Sequence, residues 1–346
     1  MAPLVSVLIP AFNAAETIAD TLRSAQAQTY RDLEIIVVDD GSRDNTARIV
    51  SQFESEDSRI RLIQQANSGV AAARNAALAA SHGSLIAPLD ADDLWHPQKI
   101  ELQVDNLCTN GDGSGLDYCW YVDIDELSII LRCNVNRFEG DVYEALILAN
   151  FIGNSSVPLI RRPILESIGG WDISLRAANA QGCEDWLLYL KIAERSRVVL
   201  TPAFLVGYRQ LPRAMSRNLL QMSRSYSMTM AQARSAHPEI AKRRFLKSGM
   251  DFDLYISGMC WTSSRPIAAI WFMLHSIARD PLKWRHDAAV LRELARRLAA
   301  RRRETTTPAA VTTRATFHGL AFGLLQPDAK CDLCQTHPVN ITATAS

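Results

Sequence analysis

The first hundred residues predict an α/β protein: a mostly parallel sheet flanked by helices, continued by a helical C-terminal extension. Three observations carry this. Short apolar runs (VSVLIP, EIIVVDD, RIRLIQQ, SLIAPLD) alternate with segments of helical period (AETIADTLRSAQAQ, DNTARIVSQFES, GVAAARNAALAAS). The runs are apolar almost throughout rather than at every second position, as expected of strands covered on both faces. Turn residues separate the segments, with Gly41-Ser42 ahead of the second helix and Gly83 expected to stop the third.

In such a sheet ligands bind beyond the carboxyl ends of the strands. Asn13 then follows strand one, Asp39 and Asp40 end strand two, Asn67 follows strand three, and Asp90 and Asp92 end strand four. Further on, YCWYVDID reads as a strand, DVYEALILA as a helix, SSVPLIRR as a strand limited by Pro158, and PILESIGGWD as a short helix capped by Gly169 and Gly170. A helix is expected from about Glu184, followed by one or two strands. From about Leu219 the chain reads as helical and Arg-rich, and from Thr305 as a weakly structured tail. No internal repeat is visible.

The 346 residues, 48% hydrophobic and 21% charged, are those of a globular chain able to bury a sizeable core. The first residues lack the basic region and cleavage site of a secretory signal and are read as the first strand. Seven scattered cysteines point to a reducing compartment, with the cytoplasm as the default. The net charge of zero conceals a division: residues 1–130 hold 8 Lys/Arg against 20 Asp/Glu, and the other 216 hold 29 against 17. An acidic front half speaks against nucleic acid as a partner and suits a site that collects a cation.

The segment GSLIAPLDADDLWHP, residues 83–97, ends an apolar run in three acids. In extended backbone Asp90 and Asp92 project to one side, so two carboxylates can meet at one point. A hard divalent cation, Mg²⁺ or Mn²⁺, would relieve their repulsion and keep positions open for the oxygens of a diphosphate. The alternative is that these acids cap the helix expected near His96, and Asp93 is assigned that role.

The chain resembles glycosyltransferase family 2. The residues that carry the resemblance are VSVLIPAFNAAETIADTLRSAQAQTYRDLEIIVVDDGSRDNT, then NSGVAAARNAAL, then PLDADDLWHP, and finally GGWD and CEDW near 170–186, in the family's order over roughly residues 4–210. The resemblance implies a GT-A, Rossmann-like catalytic domain over 1–218, its nucleotide-binding part ending near 107 and its acceptor part covering 108–218. A helical region over 219–304 and a tail over 305–346 complete the expected organisation.

It further implies an inverting enzyme that uses a nucleotide-diphosphate sugar, a saccharide or glycolipid acceptor, and Mn²⁺ or Mg²⁺. Pro10, Ala11, Asn13 and Asp39 would cradle the nucleotide with help from Arg74. Asp92, with Asp90 beside it and nearer the ribose, would hold the metal. Asp185 would be the general base, with Glu184 its neighbour, and Trp171, Trp186 and Arg209 would lie near the acceptor or the diphosphate. Each has a plainer structural reading as a turn, cap, solvated or core residue. A helix N-terminus is expected to keep Asp185 ionised.

Two other enzyme-neutral or rival readings are a nucleotidyltransferase, which would want a Gly- and Lys/Arg-rich loop where PAFNAAET stands, and a silent nucleotide-binding scaffold. RPIAAIWFMLHSIARDP is too short to span a bilayer. AAVLRELARRLAARRR has the composition of a helix lying on an anionic membrane surface, or else of one packed on the protein with its arginines in water. Cys331, Cys334 and His337 form a lone CxxC-type group, too little for a zinc site, and Asn340 begins a sequon without meaning in a cytoplasmic chain.

Overall fold

A computed structural model describes residues 2–211 and 218–279. The tail at 305–346, the Arg-rich helix expected at 288–303 and the Cys331, Cys334, His337 group lie outside the described residues. The chain runs β1 (Val5–Ala11), α1 (Ile18–Gln26), β2 (Leu33–Asp39), α2 (Thr46–Glu56), β3 (Ile60–Gln64), α3 (Val70–Ala80), β4 (Leu85–Pro88), β5 (Leu94–Trp95) and α4 (Lys99–Thr109). It continues β6 (Ser114–Ile124), β7 (Ile130–Asn134), α5 (Tyr143–Leu148), β8 (Leu159–Arg161), α6 (Arg162–Ser167), α7 (Ser174–Ala177), α8 (Glu184–Ala193) and β9 (Arg197–Arg209). Helices α9 (Leu219–Ala236), α10 (Lys242–Thr262) and α11 (Pro266–Arg279) follow.

All described strands join one sheet in the order β3-β2-β1-β4-β8-β6-β9-β5, with β7 on β6. The order reverses at β1, whose neighbours β2 and β4 lie on opposite sides, and that reversal opens a crevice at the strands' carboxyl ends. Parallel register brings Ala11 beside Asp39 and Leu8 beside Pro88. The expected α/β class is the observed one, although the parallel order of the first four strands gives way to a mixed second half in which β8 runs antiparallel to both β4 and β6. After α8 there is one long strand, β9, rather than two.

The inner strand runs are buried, every residue of β1 and β4 being inside, whereas in β3 at the sheet edge only Ile60 is buried. Gly83 has a different role from the stop expected of it. Helix α3 ends at Ala80, and a Cβ at Gly83 would stand 2.7 Å from both the Leu4 carbonyl oxygen and the Ser6 nitrogen. Glycine lets the chain pass against the start of β1. Asp93 likewise does not cap α4, whose N-cap is Gln98. Its buried carboxylate accepts from the Ser156 hydroxyl (2.5 Å), Asn154 Nδ2 (2.5 Å) and the Arg209 backbone N–H (2.9 Å). The acid nearest the helix was taken up by tertiary partners.

Candidate functional site

The crevice is built from four loops that lock one another. The loop after β1 and that after β2 are joined because Asn13, at φ 50°, accepts on Oδ1 from the Arg43 N–H (2.8 Å) while its own N–H donates to Ser42 Oγ (2.8 Å). Asn and glycine tolerate such left-handed backbone better than other residues do. Asp40 N donates to the Ala11 carbonyl (2.8 Å), and the Asp40 carboxylate accepts from the Ser68 and Gly69 N–H groups at 2.7 Å each. Asp40 thereby ties the loop after β3 to the end of β2. Asp39 is buried and accepts from the Ser42 N–H (3.1 Å).

Sequence reasoning missed Phe12, which stands between Ala11 and Asn13 and is half exposed. An apolar residue at a strand end reads as core, and only the fold shows its ring facing out beside the cradle.

Arg74, one turn into α3, is buried at 3% exposure, and its guanidinium reaches Asp90 through Nη2 (2.6 Å) and Asp185 through Nη1 (2.9 Å). Burial works against its charge, but Asp185 and Asp90 outweigh that and hold it protonated beyond the ordinary arginine range. Its Nε has no protein partner. Trp171 lies beneath, its ring centroid 5.9 Å from the guanidinium carbon, and is pinned there because Asn75 Nδ2 donates to the Trp171 carbonyl (2.8 Å) and Asn75 Oδ1 accepts from the Trp171 N–H (2.9 Å).

The two carboxylates on Arg74 are each about a quarter exposed, 25% for Asp90 and 23% for Asp185. Burial raises Asp185 above the usual carboxylate range, Arg74 pulls it down, and the charge of Asp90 pushes it up again. The expectation that the helix end would keep it readily ionised is therefore corrected: desolvation is the larger effect, and Arg74 is what counters it. Glu184 is turned away. Its Oε2 accepts from the Gly182 N–H (2.7 Å), and burial raises its pKa.

Asp92 is half-buried, and its carboxyl is raised to about 7, first by burial and then by the charge of Asp90. The oxygen donors available to a cation at this strand end are the carboxylates of Asp92 and of Asp90, the latter already paired with Arg74. Among the described residues no group of three or more His, Cys, Asp or Glu could enclose a metal alone, so an ion here would complete its shell from diphosphate oxygens and water.

Two further expected site residues have protein partners of their own. Trp186 is in the core, its Nε1 donating to the Leu146 carbonyl (2.7 Å) and its ring against Tyr226 and Phe252 of α9 and α10. It does not face an acceptor. Arg209 is buried with its guanidinium spent on carbonyls, Nε to Asp92 (2.8 Å) and Nη1 to Glu126 (2.8 Å) and Asp125 (3.3 Å). It holds the acidic loop in place with its guanidinium beside Asp92.

The sheet gathers acids at its strand ends, and a buried arginine bridges one of them, Asp90, to the distant carboxylate of Asp185. Residues 6–164, just under half of the chain, match the profile of the family "Glycosyl transferase family 2". The chain is 43% identical over 108 residues to UDP-Glc:alpha-D-GlcNAc-diphosphoundecaprenol beta-1,3-glucosyltransferase WfgD of Escherichia coli, which covers 31% of this chain and 42% of that one. The chain thus spans less than half the length of that relative. Among solved structures it is similar in fold to S. aureus TarS 1-349 in complex with UDP-GlcNAc (TM-score 0.53, 14% identity, 79% of this chain and 88% of that one). It is also similar to mannosyltransferase PcManGT from Pyrobaculum calidifontis in complex with GDP-Man and Mn²⁺ (TM-score 0.53, 19% identity, 87% and 81%).

Proposed function

We propose that this chain is an inverting glycosyltransferase that moves a sugar from a nucleotide-diphosphate sugar to a saccharide or lipid-linked acceptor in surface polysaccharide or glycolipid synthesis. The observation that carries the reading is the Arg74 bridge, which pairs Asp90 at the end of β4 with Asp185 at the start of α8, 111 residues from Arg74 in sequence. The family-profile match over residues 6–164, the similarity to WfgD and the fold shared with TarS support the same class.

Residues 1–107 serve as the nucleotide part and 108–218 as the acceptor part. Pro10, Ala11, Asn13 and Asp39 line the cradle, Phe12 offers a ring on which a base can stack, and Arg74 and Asp90 complete it. Asp92, with Asp90, holds Mn²⁺ or Mg²⁺, which when bound supplies Lewis-acid stabilisation of the departing diphosphate. Asp185 takes the acceptor proton as the acceptor oxygen bonds to the anomeric carbon and the bond from that carbon to the diphosphate oxygen breaks, in one displacement with inversion. Arg74 keeps Asp185 ionised and aimed. Glu184, engaged by the Gly182 N–H, is not the base.

The setting is cytoplasmic, a reading that rests on the odd number and scattered spacing of the cysteines in the sequence. Among the described residues no helix is long and apolar enough to cross a membrane. Contact with an anionic membrane surface is peripheral, through the Arg-rich sequence 288–303.

The test is a panel of nucleotide sugars with Mn²⁺, read by thermal stabilisation. A ligand at 100 times its Kd adds about 2.7 kcal/mol. A diphosphate sugar should stabilise the protein and be turned over. Stabilisation only by a nucleoside triphosphate would favour a nucleotidyltransferase, and binding without turnover on any acceptor would favour a scaffold.

A further inference from the structure

Helix α11 presents two unlike faces. Ala269, Phe272 and Ser276 are buried, and the α10 contact is fixed by the Ser257 hydroxyl donating to the Ala269 carbonyl (2.8 Å) and the Ser276 hydroxyl to the Met250 carbonyl (3.2 Å). The other face carries Ile267, Ile270, Trp271 and Leu274, exposed by 84, 45, 56 and 56%. Their i, i+3, i+4, i+7 spacing makes one continuous stripe. Among the described residues no other helix exposes four large apolar side chains.

The charge of helix α11 itself is one-sided, although α10 beside it exposes Asp251. Helix α11 contains no acid, Arg265 precedes it and Arg279 ends it. The acid beneath, Asp253 of α10, is 1% exposed and is held by Arg279 Nε (2.6 Å) and the His275 ring (2.9 Å), which stacks on Trp271. The sequence that follows, 280–303, has eight Lys/Arg against three Asp/Glu, with Trp284 among them.

We propose that the Ile267, Ile270, Trp271 and Leu274 stripe of α11 docks on an anionic lipid surface, entering the headgroup boundary while the basic sequence after Arg279 meets the lipid phosphates. Fourteen residues are too few to span the hydrocarbon core, so the helix lies in the plane of the interface. Tryptophan favours that boundary. Reversible attachment generally needs an apolar and a basic element together, and here they are consecutive in the chain. A protein groove would also accept an apolar stripe, but the cationic continuation complements a bilayer's charge. This deepens the peripheral contact proposed above and is independent of the transfer reaction.

The full chain is tested by sedimentation with vesicles of phosphatidylcholine containing about one third phosphatidylglycerol. The natural chain should co-sediment at low salt. A variant carrying Ile267→Gln, Ile270→Gln, Trp271→Gln and Leu274→Gln should partition at least about tenfold more weakly. Its circular dichroism should be unchanged, because all four side chains are exposed. Ile267→Glu alone, at the most exposed position, should weaken binding several-fold and guards against misfolding of the quadruple variant. A parallel variant with Arg296→Gln, Arg297→Gln, Arg301→Gln and Arg302→Gln reads the basic element separately.

No binding by the natural chain at low salt overturns the proposal. So does unchanged binding by the stripe variants, which would leave the whole contact to the arginines. Lipid-free self-association that the stripe variant abolishes would make the face a subunit interface instead. Donor turnover measured in the same preparations stands or falls separately.

Discussion

The two halves of the sheet hold their site residues by different means. In the β1–β4 half, parallel register alone sets Ala11 beside Asp39, and the loops after β1, β2 and β3 are then locked by short bonds from Asn13, Ser42 and Asp40. In the β6–β9 half, Arg209 and Asp185 both reach the acids, and nothing in the helix period of α8 aims Asp185 there. Its helix is seated by Trp186 under α9 and α10, and its carboxylate is drawn in by Arg74 from the other half. The first arrangement is backbone geometry, whereas the second is long-range packing and charge. The difference suggests a division of labour, with nucleotide affinity residing in the first half and turnover in the second.

The sharpest way to break that division is Asp185→Asn, which keeps the shape and removes the base. Turnover should fall by roughly 10²–10⁴, while calorimetric affinity for nucleoside diphosphate and metal stays near that of the natural chain. Equal losses in both would show that the halves do not divide the work.

Asp92→Ala is the mirror experiment. It should lower the Mn²⁺-dependent part of nucleoside diphosphate affinity at least about tenfold, with no loss of fold, because it removes one of two repelling carboxylates. Calorimetry showing unchanged Mn²⁺-dependent affinity would remove Asp92 from the metal site.

Arg74→Lys probes the link between the halves. One ammonium cannot bridge two carboxylates as a guanidinium does, so turnover should drop by about tenfold and the pH dependence should change. Asp185 is already raised by burial, and with less help from a cation its pKa rises further. A base works only when ionised, so activity is lost as pH falls through that pKa. The acid limb of the pH–rate profile should therefore move to higher pH in the variant. An acid limb that stays in place would mean that another group sets it.

Glu184→Gln should have the smallest effect, within about twofold on turnover, since its carboxyl already faces the Gly182 N–H and a glutamine oxygen can accept the same bond. A loss like that of Asp185→Asn would shift the base by one position.

Legibility followed the same division. The strand runs, the turn at Gly41 and the placing of Asp39, Asp40, Asp90 and Asp92 at one edge were readable because period and turn chemistry are local. Trp186 was misread because an indole beside an acidic pair looks the same in sequence whether it faces a cleft or a core, and the helices that bury it begin more than thirty residues later. Arg209 was read as a cation for a diphosphate because its charge is visible in sequence and its three carbonyl partners are not. Phe12 escaped for the opposite reason, an apolar residue being assumed inside.

By itself the sequence determined the alternation of strand and helix, the edge at which the acids gather and the family motifs that the chain carries, all properties of residues near one another along the chain. Tertiary structure alone decided that Arg74 joins Asp90 to Asp185 and that Asp93 is a buried tether rather than a helix cap. Those outcomes depend on which groups lose water and which charges come within a few ångströms, and both are fixed only when segments a hundred residues apart are packed together.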